Sequence, residues 1–496
     1  MSCHRGHDFF CLNIFKDAKQ ILFKQAFRQG RGEELCSKFL EKSVIMKTLS
    51  KKEILSLGLM MFSIFFGAGN LIFPPALGQE AGTSFVPAII GFLCTGVGMP
   101  LLGVVAIAMK GGKYTEFIER YVHPKFALAL LSVLYLTIGP LFAIPRTGAV
   151  SFEVGIRPFL GPDSLLTGQA MYTGVFFVVT YFLALNPSKL VARVGNILTP
   201  ALLIFLVVLF VKSFVSPLGD IGPVTGAYVE NPYLQGVQNG YLTMDLLASL
   251  AIGALVVNTI RLSGVEENRE IGKVCIMSGV IAMVLMSGVY ISLGYLGATS
   301  AAVMGHSANG GVLLTEATHI LFGSMGTALL ALIIALACLT TSCGMASAFA
   351  WYFHEAFGQK ISYQRLLFFA TLFSFAVSNV GLTELIRISV PFLIAIYPVV
   401  IVLVVLSLFS SVFGSRRGAY RWGIAFTLAF SIFDGLNAAG LQIAFVNDLF
   451  SRYIPLYAAN FGWVVPAVVG TLLGCITSGN TSGELTEDFE DSGKTA

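Results

Sequence analysis

Residues Phe65-Phe66-Gly67-Ala68-Gly69-Asn70-Leu71-Ile72-Phe73-Pro74-Pro75 sit inside a hydrophobic run, 54–77, that is long enough to cross a bilayer. Each unpaired backbone polar group in hydrocarbon costs several kcal/mol, so a spanning helix ordinarily avoids interruption. Here Gly67 and Gly69 weaken the helix, Asn70 adds a polar amide, and Pro74 and Pro75 remove two backbone donors. A helix broken at mid-membrane depth exposes N–H and carbonyl groups to a cavity, as carrier binding sites do. The amides of Gly67, Ala68, Gly69 and Asn70 could receive a carboxylate at the positive end of a half-helix starting near Leu71. Carbonyls from Ser63 to Phe66, on the other half, could bind a small hard cation. The competing reading is a glycine-packed helix crossing followed by a proline stop.

Two further stretches carry polar chemistry within apolar runs. Gly240-Tyr241-Leu242-Thr243-Met244-Asp245 opens the run 240–260. An acid inside a span is expensive and points to function. Asp245 could pair with an ammonium, contribute to cation binding, cap an unwound segment, or serve as a structural carboxylate satisfied by backbone N–H groups. Cys338-Leu339-Thr340-Thr341-Ser342 lies in the run 326–352. Adjacent hydroxyls there can ligate Na⁺, and can equally bond back to the preceding turn or join helices. Arg146, with Pro140 and Pro145, stands near the outer end of the third run, where it either snorkels to the interface or guards an outer vestibule. Pro391 and Pro398 kink the tenth run, and Asp434 and Asn437 read as interfacial.

The elements that must hold these residues are all-α and membrane-spanning. Of 496 residues, 55% are hydrophobic and only 12% charged, against roughly 25% charged in soluble domains. Mean hydropathy is +0.80. About twelve spans follow: 54–77, 85–109, 126–149, 171–185, 194–214, 240–260, 274–296, 326–352, 366–380, 388–413, 422–436 and 458–476. Loops after the even spans are basic, carrying Lys110, Lys113, Lys189, Arg193, Arg261, Lys360 and Arg416 among others. Segments 78–84, 216–239 and 297–323 have no Lys or Arg. The positive-inside rule then places both termini in the cytoplasm. Residues 1–50 form a basic extension that either anchors as an amphipathic segment or lies upstream of a start at Met46. Residues 477–496 form an acidic tail expected to be disordered. The eight cysteines make no Cys-x-x-Cys pair and read as small apolar fillers. No phosphate-binding loop, zinc motif or nucleophile elbow is present, so an enzyme is not expected and transport would draw on an ion gradient. A cation-coupled carrier of another small amino acid or solute on the same fold is the alternative; a channel would want a continuous polar path, whereas these spans carry isolated polar positions.

Five spans precede the 216–239 loop, and the sixth begins with the second irregular stretch. An odd number of spans per repeat inverts the second copy, so 51–215 and 239–413 read as inverted five-helix repeats, with 419–476 as two additional helices. Phe65–Pro75, Tyr241–Asp245 and Leu136-Thr-Ile-Gly-Pro-Leu-Phe-Ala-Ile-Pro-Arg-Thr147 resemble motifs of the bacterial branched-chain amino acid:cation symporters, the system II carriers. The resemblance runs from about Met46 to Ile476. It implies the leucine-transporter-type 5+5 inverted repeat with helices 1 and 6 broken. It also implies uptake of leucine, isoleucine and valine with Na⁺, or H⁺ in some members, across the bacterial inner membrane. The implied substrate contacts are Phe66, Gly67, Ala68, Gly69, Asn70, Thr243, Met244 and Asp245. The implied Na⁺ ligands are the carbonyls of Ser63, Phe66 and Cys338 and the hydroxyls of Thr341 and Ser342. No cofactor beyond the coupling ion and no nucleic acid partner is expected.

Overall fold

The computed structural model describes residues 49–112, 114–185, 202–265, 267–413 and 416–478. Residues 1–48 of the basic extension, with Met46, residues 479–496 of the acidic tail, the start of the fifth run, and Lys113, Lys189 and Arg193 lie outside the described residues. Among the described residues all regular structure is helical.

The first run is two helices, α1 (Lys51–Phe65) and α2 (Ala68–Ala81). Ser50 starts α1 with a reciprocal cap to Glu53. The second run is α3 (Phe85–Leu93) and α4 (Met99–Met109), joined through a π-turn, Cys94–Gly98. The third is α5 (Pro124–Leu136) and α6 (Ala143–Gly155), joined through a second π-turn, Thr137–Leu141. Pro140 cannot donate to the helix ladder and Gly139 leaves helical geometry (ψ −129°), so the chain widens and turns before Arg146. Then follow α7 (Leu165–Ala184), α8 (Leu202–Val215), α9 (Pro232–Tyr241), α10 (Asp245–Leu262) and α11 (Asn268–Met304). The remainder is α12 (Gly310–Ala356), α13 (Tyr363–Ser378), α14 (Leu382–Leu408), α15 (Arg417–Ala438), α16 (Ala444–Tyr453) and α17 (Val464–Thr477).

Among the described residues seven helical stretches are long and apolar enough to cross a bilayer, and α8 and α17 are shorter apolar helices. In the first run α1 falls short by this measure because the break leaves it 15 residues, while α2 continues into α3 and α4 as one of the seven stretches, Ala68–Met109. The segment 297–323 departs from the sequence expectation of an outer loop. It contributes the end of α11 and a helical arm, 310–322, that bends into the rest of α12 at Gly323 (φ 66°). That arm lies across α2 so closely that a Cβ on Gly310 would sit 1.8 Å from the Ile72 carbonyl oxygen.

Glycines also set the approach of α2 to α11. A Cβ on Gly78 would lie 1.8 Å from the Gly294 carbonyl oxygen, and one on Gly297 would lie 2.0 Å from that of Pro75. Small residues let backbones meet where lipid supplies no hydrophobic drive. Gly297→Ala forces the helices apart, and overpacking of this kind costs about 1–3 kcal/mol. We expect a lower unfolding midpoint in detergent for Gly297→Ala and no loss for Gly288→Ala, whose Cβ would enter open space on the same helix.

Candidate functional site

The two broken helices meet. At the first break, Phe66 donates its N–H to the Phe62 carbonyl (2.8 Å) and closes α1. Gly67 is extended (φ −123°, ψ −170°), and its N–H is taken by Asn70 Oδ1 at 3.0 Å. At the second break, α9 ends at Tyr241 and α10 starts at Asp245, with Met244 between them at φ 64°, ψ 12°. Left-handed geometry in a non-glycine residue costs about 1–3 kcal/mol and persists where the surroundings demand it. Thr243 Oγ1 donates to the Gly240 carbonyl (2.9 Å) and accepts from the Asp245 N–H (3.4 Å), which bridges the turn.

Side chains tie the breaks together. Asn70 Nδ2 donates to Asp245 Oδ2 at 2.6 Å and also to the Tyr290 hydroxyl. Tyr290 in turn donates to Asp245 Oδ2 at 3.2 Å. From α14, the Tyr397 hydroxyl accepts the Leu246 N–H (3.2 Å), one of the orphan donors of the α10 N-terminus. Arg146 reaches in from α6. Its Nη1 donates to the Leu242 carbonyl (2.6 Å) and its Nη2 to the Thr243 carbonyl (3.4 Å), while its guanidinium carbon stands 5.1 Å from the Phe73 ring centroid. Asn70, Arg146, Thr243 and Asp245 are each no more than 4% exposed.

These groups line a cavity of about 30 Å³. That volume holds a water or two and is smaller than an amino acid. Gly67, Ala68, Gly69, Asn70, Thr243, Met244, Asp245 and Thr341 face it, so one cavity gathers most of the sequence-derived site. Ser63, Phe66, Cys338 and Ser342 lie outside its lining. The Phe66 ring stacks on Phe62 (centroids 5.0 Å apart), and Cys338 is fully buried. Thr341 stands at the first break, its Cγ2 3.2 Å from where a Cβ on Gly67 would be, and its hydroxyl donates back to the Ala337 carbonyl at 3.0 Å. Ser342, one residue on, turns toward α7 and accepts from Thr180 Oγ1 at 3.4 Å.

Arg146 corrects the sequence reading. It neither snorkels nor stands in an outer vestibule, because the π-turn before α6 aims it at the second break. Asp434, expected at the interface, is fully buried. Tyr290 and Tyr397 were not singled out in the sequence. A tyrosine hydroxyl inside an apolar span needs a partner, which is a usable signal, but 16 tyrosines make it a diffuse one.

An all-helical bundle with two interrupted helices facing each other across a buried, polar-lined cavity has the architecture of multi-pass membrane carriers. Its fold is similar to that of Mhp1, a nucleobase-cation-symport-1 family transporter, in a closed conformation with bromovinylhydantoin bound: TM-score 0.56, 14% identity, covering 85% of this chain and 91% of that one. Residues 50–481 match the family described as Branched-chain amino acid transport protein, and the chain belongs to that family. It is 44% identical over 429 residues to the branched-chain amino acid permease BraB of Bacillus subtilis (strain 168), spanning 86% of this chain and 96% of that protein. It is 42% identical over 434 residues to the branched-chain amino acid transport system 2 carrier protein of Pseudomonas aeruginosa PAO1, spanning 87% and 97%. These relatives are named as permeases and carriers, so the chain is a transporter and not an enzyme.

Proposed function

We propose that the protein imports leucine, isoleucine and valine by alternating access, coupled to Na⁺ moving down its gradient. The observation that carries this reading is the meeting of both helix breaks at one buried cavity, with the Asp245 carboxylate held between Asn70 and Tyr290. The α-ammonium would meet Asp245, and the α-carboxylate would meet the N-terminal end of α2, where amides and dipole both favour an anion. Phe65, Ile138, Ala143, Ala248 and Met345 supply apolar wall for a branched side chain. The cavity must widen to admit an amino acid, which fits a site opened to each side in turn.

Na⁺ would sit at the carboxyl end of α1, where the negative dipole end attracts a cation. Its ligands would be the carbonyls of Ser63, Phe66 and Cys338 and the hydroxyls of Thr341 and Ser342. The position of Thr341 beside Gly67 supports this arrangement. Proton coupling is the second reading, favoured by a carboxylate buried in the site. On the same proposal the chain crosses the bacterial inner membrane twelve times, as two inverted five-helix repeats and two additional helices, with both termini cytoplasmic.

Purified carrier in liposomes tests the coupling. Labelled leucine should accumulate above its outside concentration under an inward Na⁺ gradient. Accumulation driven only by a pH gradient would move the assignment to H⁺, and uptake that equilibrates without concentrating would remove coupling altogether. One methylene in an apolar pocket is worth about 1–3 kcal/mol. Isoleucine and valine should therefore compete with leucine within roughly two orders of magnitude.

A further inference from the structure

We infer that Arg146 binds the substrate α-carboxylate, which makes it a specificity-determining residue for amino acids over amines. The inference rests on the proposed amino-acid site and assigns it a second charge. A guanidinium carries five N–H donors. The carbonyls of Leu242 and Thr243 take one from each terminal nitrogen, and Nε, buried with the rest of a side chain that is 3% exposed, has no partner. Donors therefore remain for an anion in the cavity that Arg146 lines.

Three features place that anion. First, the guanidinium lies against the start of α2: a Cβ on Gly69 would come within 2.7 Å of Nη2. A carboxylate entering there meets the guanidinium and the α2 amides together, two positive partners on one group. Second, Asp245 lines the same cavity, yet among the described residues no ion pair joins it to Arg146. Asp245 is held by Asn70 and Tyr290, and Arg146 by backbone carbonyls. Opposite charges kept apart across a cavity match a zwitterion, whose ammonium and carboxylate sit on one carbon. Third, the partners of Arg146 are the carbonyls of the second break, so its position is set by the helix ends that shape the site. Arginine suits the task because its planar fork matches a carboxylate with two parallel bonds.

The test uses full-length carrier and two probes that differ only at the carboxylate: leucine, and leucinol, which has a hydroxymethyl group in its place. Affinities are read by competition against labelled leucine or by calorimetry, with the unfolding midpoint recorded in parallel. Wild type should prefer leucine over leucinol by at least about 100-fold. Arg146→Gln should weaken leucine by a similar factor, leave leucinol within about threefold, and bring the ratio near one. Arg146→Lys keeps the charge without the fork, and should retain an intermediate ratio. If Arg146→Gln does not fold, the fall of the ratio in Arg146→Lys decides. A ratio unchanged in either folded variant, equal losses for both probes, or a wild type that does not discriminate overturns the assignment. A wild-type carrier that binds neither leucine, isoleucine nor valine would instead overturn the proposed function.

Discussion

Asp245→Ala abolishes leucine uptake, with kcat/KM expected to fall by about two to three orders of magnitude. The carboxylate accepts from Asn70 Nδ2 (2.6 Å) and the Tyr290 hydroxyl (3.2 Å). Removing it strands two buried donors, and leaves Arg146 without the only opposite charge in the lining of its cavity. Breaking a buried charge arrangement by deleting one partner costs about 3–5 kcal/mol, and each 1.4 kcal/mol is tenfold. Asp245→Asn keeps an acceptor for Asn70 and Tyr290 while discarding the charge, so it should fold as wild type does and still lose most uptake. Normal surface expression with uptake near zero in Asp245→Asn separates a role in binding from a role in folding. Uptake above a tenth of wild type in the alanine variant would remove Asp245 from the site.

Thr341→Ala is expected to raise the Na⁺ concentration for half-maximal uptake by about tenfold or more, the loss of one oxygen ligand at roughly 1.5–3 kcal/mol for a bond to a charged group. Ser342→Ala should shift it less, because Ser342 accepts from Thr180 and stands outside the cavity lining, whereas Thr341 stands against Gly67 at the break. The readout is a Na⁺ titration of uptake at saturating leucine, with the leucine KM measured separately. Equal Na⁺ dependence in wild type and both variants would take the hydroxyl pair out of the cation site. A larger shift in Ser342→Ala would mean that the transporting form turns that face of α12 toward α1.

Much of the candidate site's polar framework was readable because membrane energetics are strict. Gly67, Gly69, Asn70, Pro74 and Pro75 cannot continue a lipid-facing helix without compensation, and Asp245 cannot sit in a span without a partner. The structure answers both demands with one arrangement, Asn70 bonded to Asp245 across 175 positions of sequence. Arg146 was visible but misplaced. Its position along the third run suggested an outer end, whereas the π-turn at Thr137–Leu141, built on Gly139 and Pro140, swings it to the second break. Tyr290 and Tyr397 gave only a diffuse signal, since their partners lie on other helices.

The amino-acid sequence by itself determined the membrane class, the positions of the two helix breaks and the polar residues that need burial partners. These follow from local chain properties: hydrophobic length, backbone donors removed by proline, and the cost of a charge in hydrocarbon. Tertiary structure alone decided which of those residues share a cavity, that Thr341 reaches the first break while its neighbour Ser342 turns to Thr180, and that Arg146 rather than lipid or solvent satisfies the carbonyls of Leu242 and Thr243. Those choices depend on how helices distant in sequence cross and rotate, and on backbones meeting through glycines such as Gly78, Gly297 and Gly310, where packing sets the geometry.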